Sequence, residues 1–355
     1  MNQPCDTAVA SPSIPFDATA LQAYLRDRVE GMDGELRIDR FKGGQSNPTF
    51  LLTTPTHRYV LRSKPGPSAE LLQSAHAIER EFRVQSALAG SDVPVARMHC
   101  LCEEESVIGR VFYLMDHVEG RIFWDQTLPE VGREERSALY DELNRVIAAL
   151  HMVDMDAAGL SDYGKRGNYF ARQIQRWTRQ YESTRTVPIA SMDRLIEWLP
   201  RHVPEDDDRV ALVHGDYRID NVIFHPTKPR ILAVIDWELS TLGHPLADFA
   251  YHMMSWHIPP GTLRGLAGVD LAALGIPSEQ HYIAAYERRT AARISGDWNF
   301  YLAYNLFRLA GILQGIAKRA EDGIASNTQA VEYGRQAAPL AELGWAFAQR
   351  AGAVG

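Results

Sequence analysis

The alternation of apolar and polar positions divides the chain into a strand-rich first third and a helix-rich remainder. Asp17 can cap a helix that runs to about Val29, because Leu21, Leu25 and Val29 recur on one face. Leu36–Lys42, Phe50–Thr53 and Tyr59–Arg62 read as strands of an antiparallel meander, with the proline-containing Thr54–Thr56 as a turn. In Glu70–Gly90 the residues Leu71, Ala75, Ile78, Phe82, Gln85 and Ala89 form one stripe, which predicts an amphipathic helix ended by Gly90. Ala96–Cys102 and Arg110–His117 return to strand patterning. Beyond Gly120 the period changes. Leu139, Leu143, Ile147 and Leu150 recur at helical spacing, and Tyr169–Tyr181, Met192–Leu199, Leu246–Ser255, Glu279–Arg293 and Asp297–Arg319 are further helices. Three short aliphatic runs interrupt them: Val210–Val213, Val222–Phe224 and Ile231–Ile235, each patterned as a buried strand.

The polar residues among those runs carry the candidate chemistry. The stretch reads Leu212-Val213-His214-Gly215-Asp216-Tyr217-Arg218-Ile219-Asp220-Asn221, and Asp236 follows Ile231–Ile235. A carboxylate, an amide five residues on and a second carboxylate past the next strand suit one task. The first carboxylate can orient a hydroxyl while the amide and the second carboxylate hold Mg²⁺ against a nucleotide. Turn formation alone would also use Asp and Asn, but it does not require the ordered set.

Protein kinases use this same spacing, with His-Arg-Asp and Asp-Phe-Gly where this chain has His214-Gly215-Asp216 and Asp236-Trp237-Glu238. With Gly243-His244-Pro245-Leu246-Ala247-Asp248, these variants resemble the aminoglycoside phosphotransferase and choline kinase superfamily of small-molecule kinases. The wording is most similar to the branch that includes the kinase-like domain of acyl-CoA dehydrogenase family members ten and eleven. The resemblance spans about Leu36 to Arg319.

The resemblance implies an α+β, bilobal protein-kinase-like fold: a small antiparallel-sheet N-lobe with one helix, and a larger, mainly helical C-lobe. Residues 1–15 are then an arm, 16–117 the nucleotide-binding lobe, and 118–355 the catalytic and substrate-binding lobe. It implies ATP and Mg²⁺ as cofactors and a small-molecule hydroxyl as acceptor. Asp216 becomes the catalytic carboxylate, His214 orients its loop, and Arg218 neutralises charge near the γ-phosphate; Asn221 and Asp236 hold the metal. Asp248 is expected to hold the loop in shape. Arg62 stands where kinases place the strand lysine that meets the phosphates, with Lys64 as the fallback. Glu81 is its expected partner and Glu79 the rival. The Gly43–Asn47 turn, with Gly43, Gly44, Ser46 and Asn47, is a candidate phosphate cover or a plain Gly-Gly hairpin turn. Val60 can pack on adenine, and Met115, His117 and Val118 fall at the hinge. Glu238 and Arg308 are candidate substrate contacts, because a cation flanked by Leu306, Phe307 and Leu309 wants a carboxylate or an anionic ligand.

Composition narrows the alternatives. A chain of 355 residues with 45% hydrophobic content can build a substantial core. A net charge of −8 argues against a broad nucleic-acid surface. Three cysteines suit a reducing cytoplasm, and no apolar run reaches the length of a membrane span. The first residues lack the pattern of a signal peptide. Oligomeric state cannot be read from the chain. Two other classes stay open: a nucleotide-binding pseudokinase, which the replacement of lysine by Arg62 permits, and a non-catalytic interaction protein. The acceptor, and the choice between ATP and GTP, are equally hidden.

Overall fold

The strand patterning of the first third becomes one antiparallel sheet. Its strands are β1 (Ala8–Val9), β2 (Arg37–Phe41), β3 (Thr49–Thr53), β4 (Arg58–Ser63), β5 (Met98–Cys102) and β6 (Phe112–Asp116), in spatial order β1-β2-β3-β4-β6-β5. Register places Val60 between Leu51 and Met115, and Arg62 between Thr49 and Tyr113. The period of two then separates two faces. Phe50, Leu52, Leu61, Phe112 and Leu114 pack with Leu21 and Leu25 of helix α1 (Ala18–Arg26). Tyr113 and Val111 pack with Ile78 of helix α2 (Ile78–Leu88). Asp17 caps α1 as expected, accepting from the Thr19 and Ala20 N–H groups at 2.8 and 3.3 Å. The computed structural model describes residues 8–9, 14–41, 47–65, 77–205, 209–294, 297–323 and 329–354. Leu71 and Ala75 of the expected helical stripe therefore lie outside the described residues. The expected arm is corrected in part: Ala8–Val9 pairs with Arg40 and Phe41, and Ile14 packs against the core.

The remaining chain supplies α3 (Arg133–His151), α4 (Tyr169–Thr184), α5 (Ala190–Trp198), β7 (Ala211–Val213), β8 (Val222–Phe224), β9 (Ile231–Val234), β10 (Thr241–Gly243), α6 (Pro245–Met253), α7 (Leu271–Leu274), α8 (Glu279–Thr290), α9 (Trp298–Glu321), α10 (Ala330–Arg335) and α11 (Ala337–Arg350). The apolar α9 is a central support, packed by α4, α6, α10 and α11. The apolar pattern had not singled out α10 or α11. Helix α11 buries mostly small residues, Ala337, Ala341, Gly344 and Ala348, around Leu340, Trp345 and Phe347, so its stripe is weak.

Contacts divide the chain into two units. One comprises Met1–Phe123, Asp156–Leu160 and Ile219–Ser240; the other comprises Trp124–Met155, Ser161–Arg218 and Thr241–Gly355. The β8–β9 hairpin, a separate two-stranded sheet, thus falls in the unit that holds β1 to β6, where the sequence had placed all of 118–355 in the second lobe. Backbone bonding explains this. The Val234 N–H donates to the Pro94 carbonyl at 2.8 Å, and Arg121 and Phe224 exchange two bonds of 2.8 Å. Gly120 permits that approach, since a Cβ there would lie 2.3 Å from the Phe224 carbonyl oxygen. Helix α2 packs against the short turn Trp237–Leu239, and Arg80 reaches the Ser240 carbonyl at 3.4 Å.

Candidate active site

In the first unit the polar residues converge on Arg62. Strand β4 projects this side chain onto the α2 face of the sheet, because Arg62 pairs in register with Tyr113. Arg62 Nε lies 2.9 Å from Glu81, and Nη2 lies 3.1 Å from Asp236 and 3.4 Å from Glu238. Glu81 is almost fully buried and also accepts from the Tyr113 hydroxyl and the Asn47 amide, each at 3.0 Å. Burial would lower the Arg62 pKa, but Glu81, Tyr113, Asp236 and Glu238 outweigh it and hold the guanidinium above its ordinary range. Burial pushes the Glu81 carboxyl up, against the pull of Arg62, Tyr113 and Asn47. The rival residues form a separate surface pair, Lys64 with Glu79. The structure therefore brings Arg62 and Glu81 together and sets Lys64 and Glu79 apart from them.

Hairpin β8–β9 brings Asn221 and Asp236 to one end of a ladder. Val222 pairs with Val234, and the Ile235 N–H donates to the Asn221 carbonyl at 2.9 Å. Asp236 follows at φ 66°, a left-handed conformation uncommon outside glycine but one that Asp tolerates, which turns the chain into Trp237–Leu239. Its carboxylate is 37% exposed. Carboxylate and amide oxygens are the hard donors that Mg²⁺ takes, so this pair fits a magnesium ion completed by water and phosphate oxygens. Among the described residues no group of three or more His, Cys, Asp or Glu could hold a metal by itself.

In the second unit the Asp216 loop is held from helix α6. Pro245 opens α6 at a position that needs no N–H donor, and Asp248 lies in its first turn. Asp248 accepts from the His214 N–H at 2.8 Å, the Gly215 N–H at 2.7 Å and His151 Nε2 at 3.2 Å. Burial alone would push this carboxyl up, yet His151 and the His214 N–H hold it below the usual carboxylate range. His214 is fully buried, and its Nδ1 accepts from the Asp216 N–H at 3.2 Å, which shapes the turn around Gly215 at φ 83°. Arg218 Nε lies 3.5 Å from Asp216 Oδ1. The Tyr251 hydroxyl donates to the same oxygen at 2.6 Å. Arg308, 6% exposed, donates to the Gly215 carbonyl at 2.6 Å and lies over the rings of Tyr251 and Trp177.

The other expected residues fall as follows. Gly43, Gly44 and Ser46 lie outside the described residues. Asn47 is fully buried with its amide on Glu81, so it braces the Arg62 partner. Val60 is buried in β4 beside Met115 of β6. The His117 N–H, expected at a hinge, donates to the Arg58 carbonyl at 3.1 Å; Val118 follows it, partly buried. Tyr113, His151 and Tyr251 were missed by sequence reasoning. Tyr251 had a usable signal, since it lies three residues after Asp248 on a helix and so shares its face.

A model of the phosphotransferase enzyme family matches residues 37–291. The chain belongs to this family. The matched range of the phosphotransferase family includes every candidate residue above except Arg308. Acyl-CoA dehydrogenase family member 10 from Mus musculus is 45% identical over 343 residues, which are 96% of this chain and 32% of that protein. The chain spans 32% to 45% of the length of the first curated relatives it matches. A provisionally named aminoglycoside phosphotransferase from Ralstonia eutropha JMP134 is 60% identical in its crystal structure. It has a TM-score of 0.88 and matches 94% of this chain and 99% of that one. A ternary complex of aminoglycoside phosphotransferase APH(4)-Ia with AMP-PNP and hygromycin B shares the fold at 17% identity. Its TM-score is 0.61, over 95% of this chain and 100% of that one. The α+β, protein-kinase-like fold expected from the sequence is thus the fold found. No helix among the described residues is long and apolar enough to cross a membrane.

Proposed function

We propose that the chain is a small-molecule kinase that transfers the ATP γ-phosphoryl group to a hydroxyl of a small metabolite or antibiotic, with Mg²⁺. One observation carries this reading: Arg62 joins Glu81 and Asp236 in a single network. These are the three positions at which kinases place a phosphate-binding cation, its helical partner and a metal-binding carboxylate. Arg62 keeps the cation and can contact phosphate through two N–H groups. Bound Mg·ATP supplies the phosphoryl group and a dication that offsets charge developing in transfer. Asn221 and Asp236 hold the metal. Asp216 receives the acceptor hydroxyl and takes its proton, and Arg218 offsets negative charge beside it. Asp248 and His214 keep the loop in place, so rate comes from positioning and electrostatics. The AMP-PNP complex of APH(4)-Ia supports nucleotide binding.

The test is calorimetric titration with Mg·ATP, followed by ADP release against a panel of hydroxylated metabolites and aminoglycosides. The expected outcome is Mg²⁺-dependent ATP binding, with one acceptor class raising ADP release well above the rate in water. Binding without turnover on any acceptor would favour a pseudokinase. No nucleotide binding would leave a non-catalytic interaction protein.

A further inference from the structure

We propose that Tyr251 is the positioning residue that holds the Asp216 carboxylate in its reacting orientation, with Arg308 backing it. The inference rests on the reading of Asp216 as the group that meets the acceptor. One face of α6 controls the whole loop. Asp248, in the first turn, takes the His214 and Gly215 N–H groups, and Tyr251, one turn on, donates to Asp216 Oδ1 at 2.6 Å. The first contact fixes the backbone of the loop and the second fixes the side chain that it carries. An O–H donor this close to a carboxylate is a charge-assisted bond, roughly twice as strong as a neutral one.

Tyr251 is itself held. It is 5% exposed, and the Arg308 guanidinium lies 4.8 Å from its ring centre. The same guanidinium is 5.4 Å from the Trp177 ring and donates to the Gly215 carbonyl at 2.6 Å. Arg308 therefore touches both the residue before Asp216 and the ring that grips it. Among the described residues it forms no ion pair within 4 Å, so its charge is balanced by the Gly215 carbonyl, the ring faces and the nearby Asp216. Burial first, then the charge of Asp216, push the Tyr251 phenol well above its usual range, against the pull of Arg218 and Arg308. The hydroxyl stays protonated and acts as a donor throughout the neutral range.

Tyr251→Phe removes one oxygen and keeps the ring against Arg308. Loss of a bond to a charged group predicts a fall in kcat of about ten- to hundredfold. The KM for ATP and the calorimetric Mg·ATP affinity stay within about twofold, because ground-state nucleotide binding is untouched. In an Asp216→Asn background the same change costs less than about twofold, since both act through one carboxylate. An unchanged kcat, an equal loss in both backgrounds, or a loss that tracks ATP affinity overturns the proposal. A second readout is independent of turnover: the ¹³Cζ resonance of Tyr251 in labelled protein shifts on Asp216→Asn. A resonance that does not move overturns the contact. If the unmodified chain neither binds Mg·ATP nor releases ADP, the kinase reading fails by itself, and the resonance still decides whether Tyr251 grips Asp216.

Discussion

Arg62→Ala would leave the Glu81 carboxylate, 3% exposed, without the guanidinium now 2.9 Å away. Removing one member of a buried pair costs about 3–5 kcal/mol, because the other charge stays out of water. Tyr113 and Asn47 still donate to Glu81, and burial already pushes its carboxyl upward, so a proton can neutralise it. Both effects place the cost at the lower end, about 3 kcal/mol. The contacts to Asp236 and Glu238 add little, since those carboxylates are 37% and 21% exposed and water replaces the cation. Two further variants separate charge from volume. Glu81→Leu combined with Arg62→Met removes both charges but takes the acceptor from the buried Tyr113 hydroxyl and Asn47 amide, so it is expected to cost about 1–3 kcal/mol, without the added cost of an unpaired charge. Lys64→Ala breaks the Lys64–Glu79 pair, whose side chains are 35% and 31% exposed, and costs at most about 1 kcal/mol. Urea unfolding followed by circular dichroism measures all three. In catalysis Arg62→Lys retains partial activity because charge survives while the fork is lost, and Arg62→Ala is much worse. If Arg62→Ala is no more destabilising than Lys64→Ala, the buried pair does not have the energetics assigned to it. A near-normal turnover for Arg62→Ala beside a crippled Lys64→Ala would transfer the phosphate role to Lys64.

The remaining predictions use different probes. Asp216→Asn is expected to lower phosphoryl transfer by about 10²–10⁴ while Mg·ATP affinity is retained, and a loss of only a few fold in ADP release would take the proton-accepting role from Asp216. Asp236→Ala weakens Mg·ATP binding in calorimetry, and adding Asn221→Ala costs less than the sum of the two, since both serve the same metal. Unchanged affinity in Asp236→Ala would count against the metal assignment. Burial lowers the pKa of His252 from 6.5 to about 4. Below the unfolded value the unfolded chain binds a proton that the folded chain refuses, so stability is lost as pH drops from 6.5 towards about 4, by up to about 1.4 kcal/mol per unit. His252→Gln, which can keep a bond to the Tyr282 hydroxyl now 2.8 Å away, should flatten that slope; an unchanged slope refutes it.

Local pattern determined a good part of this protein. Residue period marked the strands β2 to β4 and the Asp17 cap of α1, because alternation and capping are properties of neighbouring residues. The Asp216, Asn221 and Asp236 spacing was legible for the same reason: one loop and one hairpin carry all three. The pairing of Arg62 with Glu81 was legible only through the kinase pattern. Glu79 and Lys64 offered an equal choice on spacing, and the register of β4 against β6 decided it by placing Arg62 beside Tyr113. Other partners lie far away in the chain, and no periodicity reports them. Tyr251 meets Asp216 across 35 residues, Arg308 meets Gly215 across 93, and His151 meets Asp248 across 97. Tertiary structure also decided that the β8–β9 hairpin joins the first unit, since Pro94 and Arg121 supply its outer hydrogen bonds. A buried donor or acceptor must be satisfied, but which group satisfies it depends on the packing of distant segments.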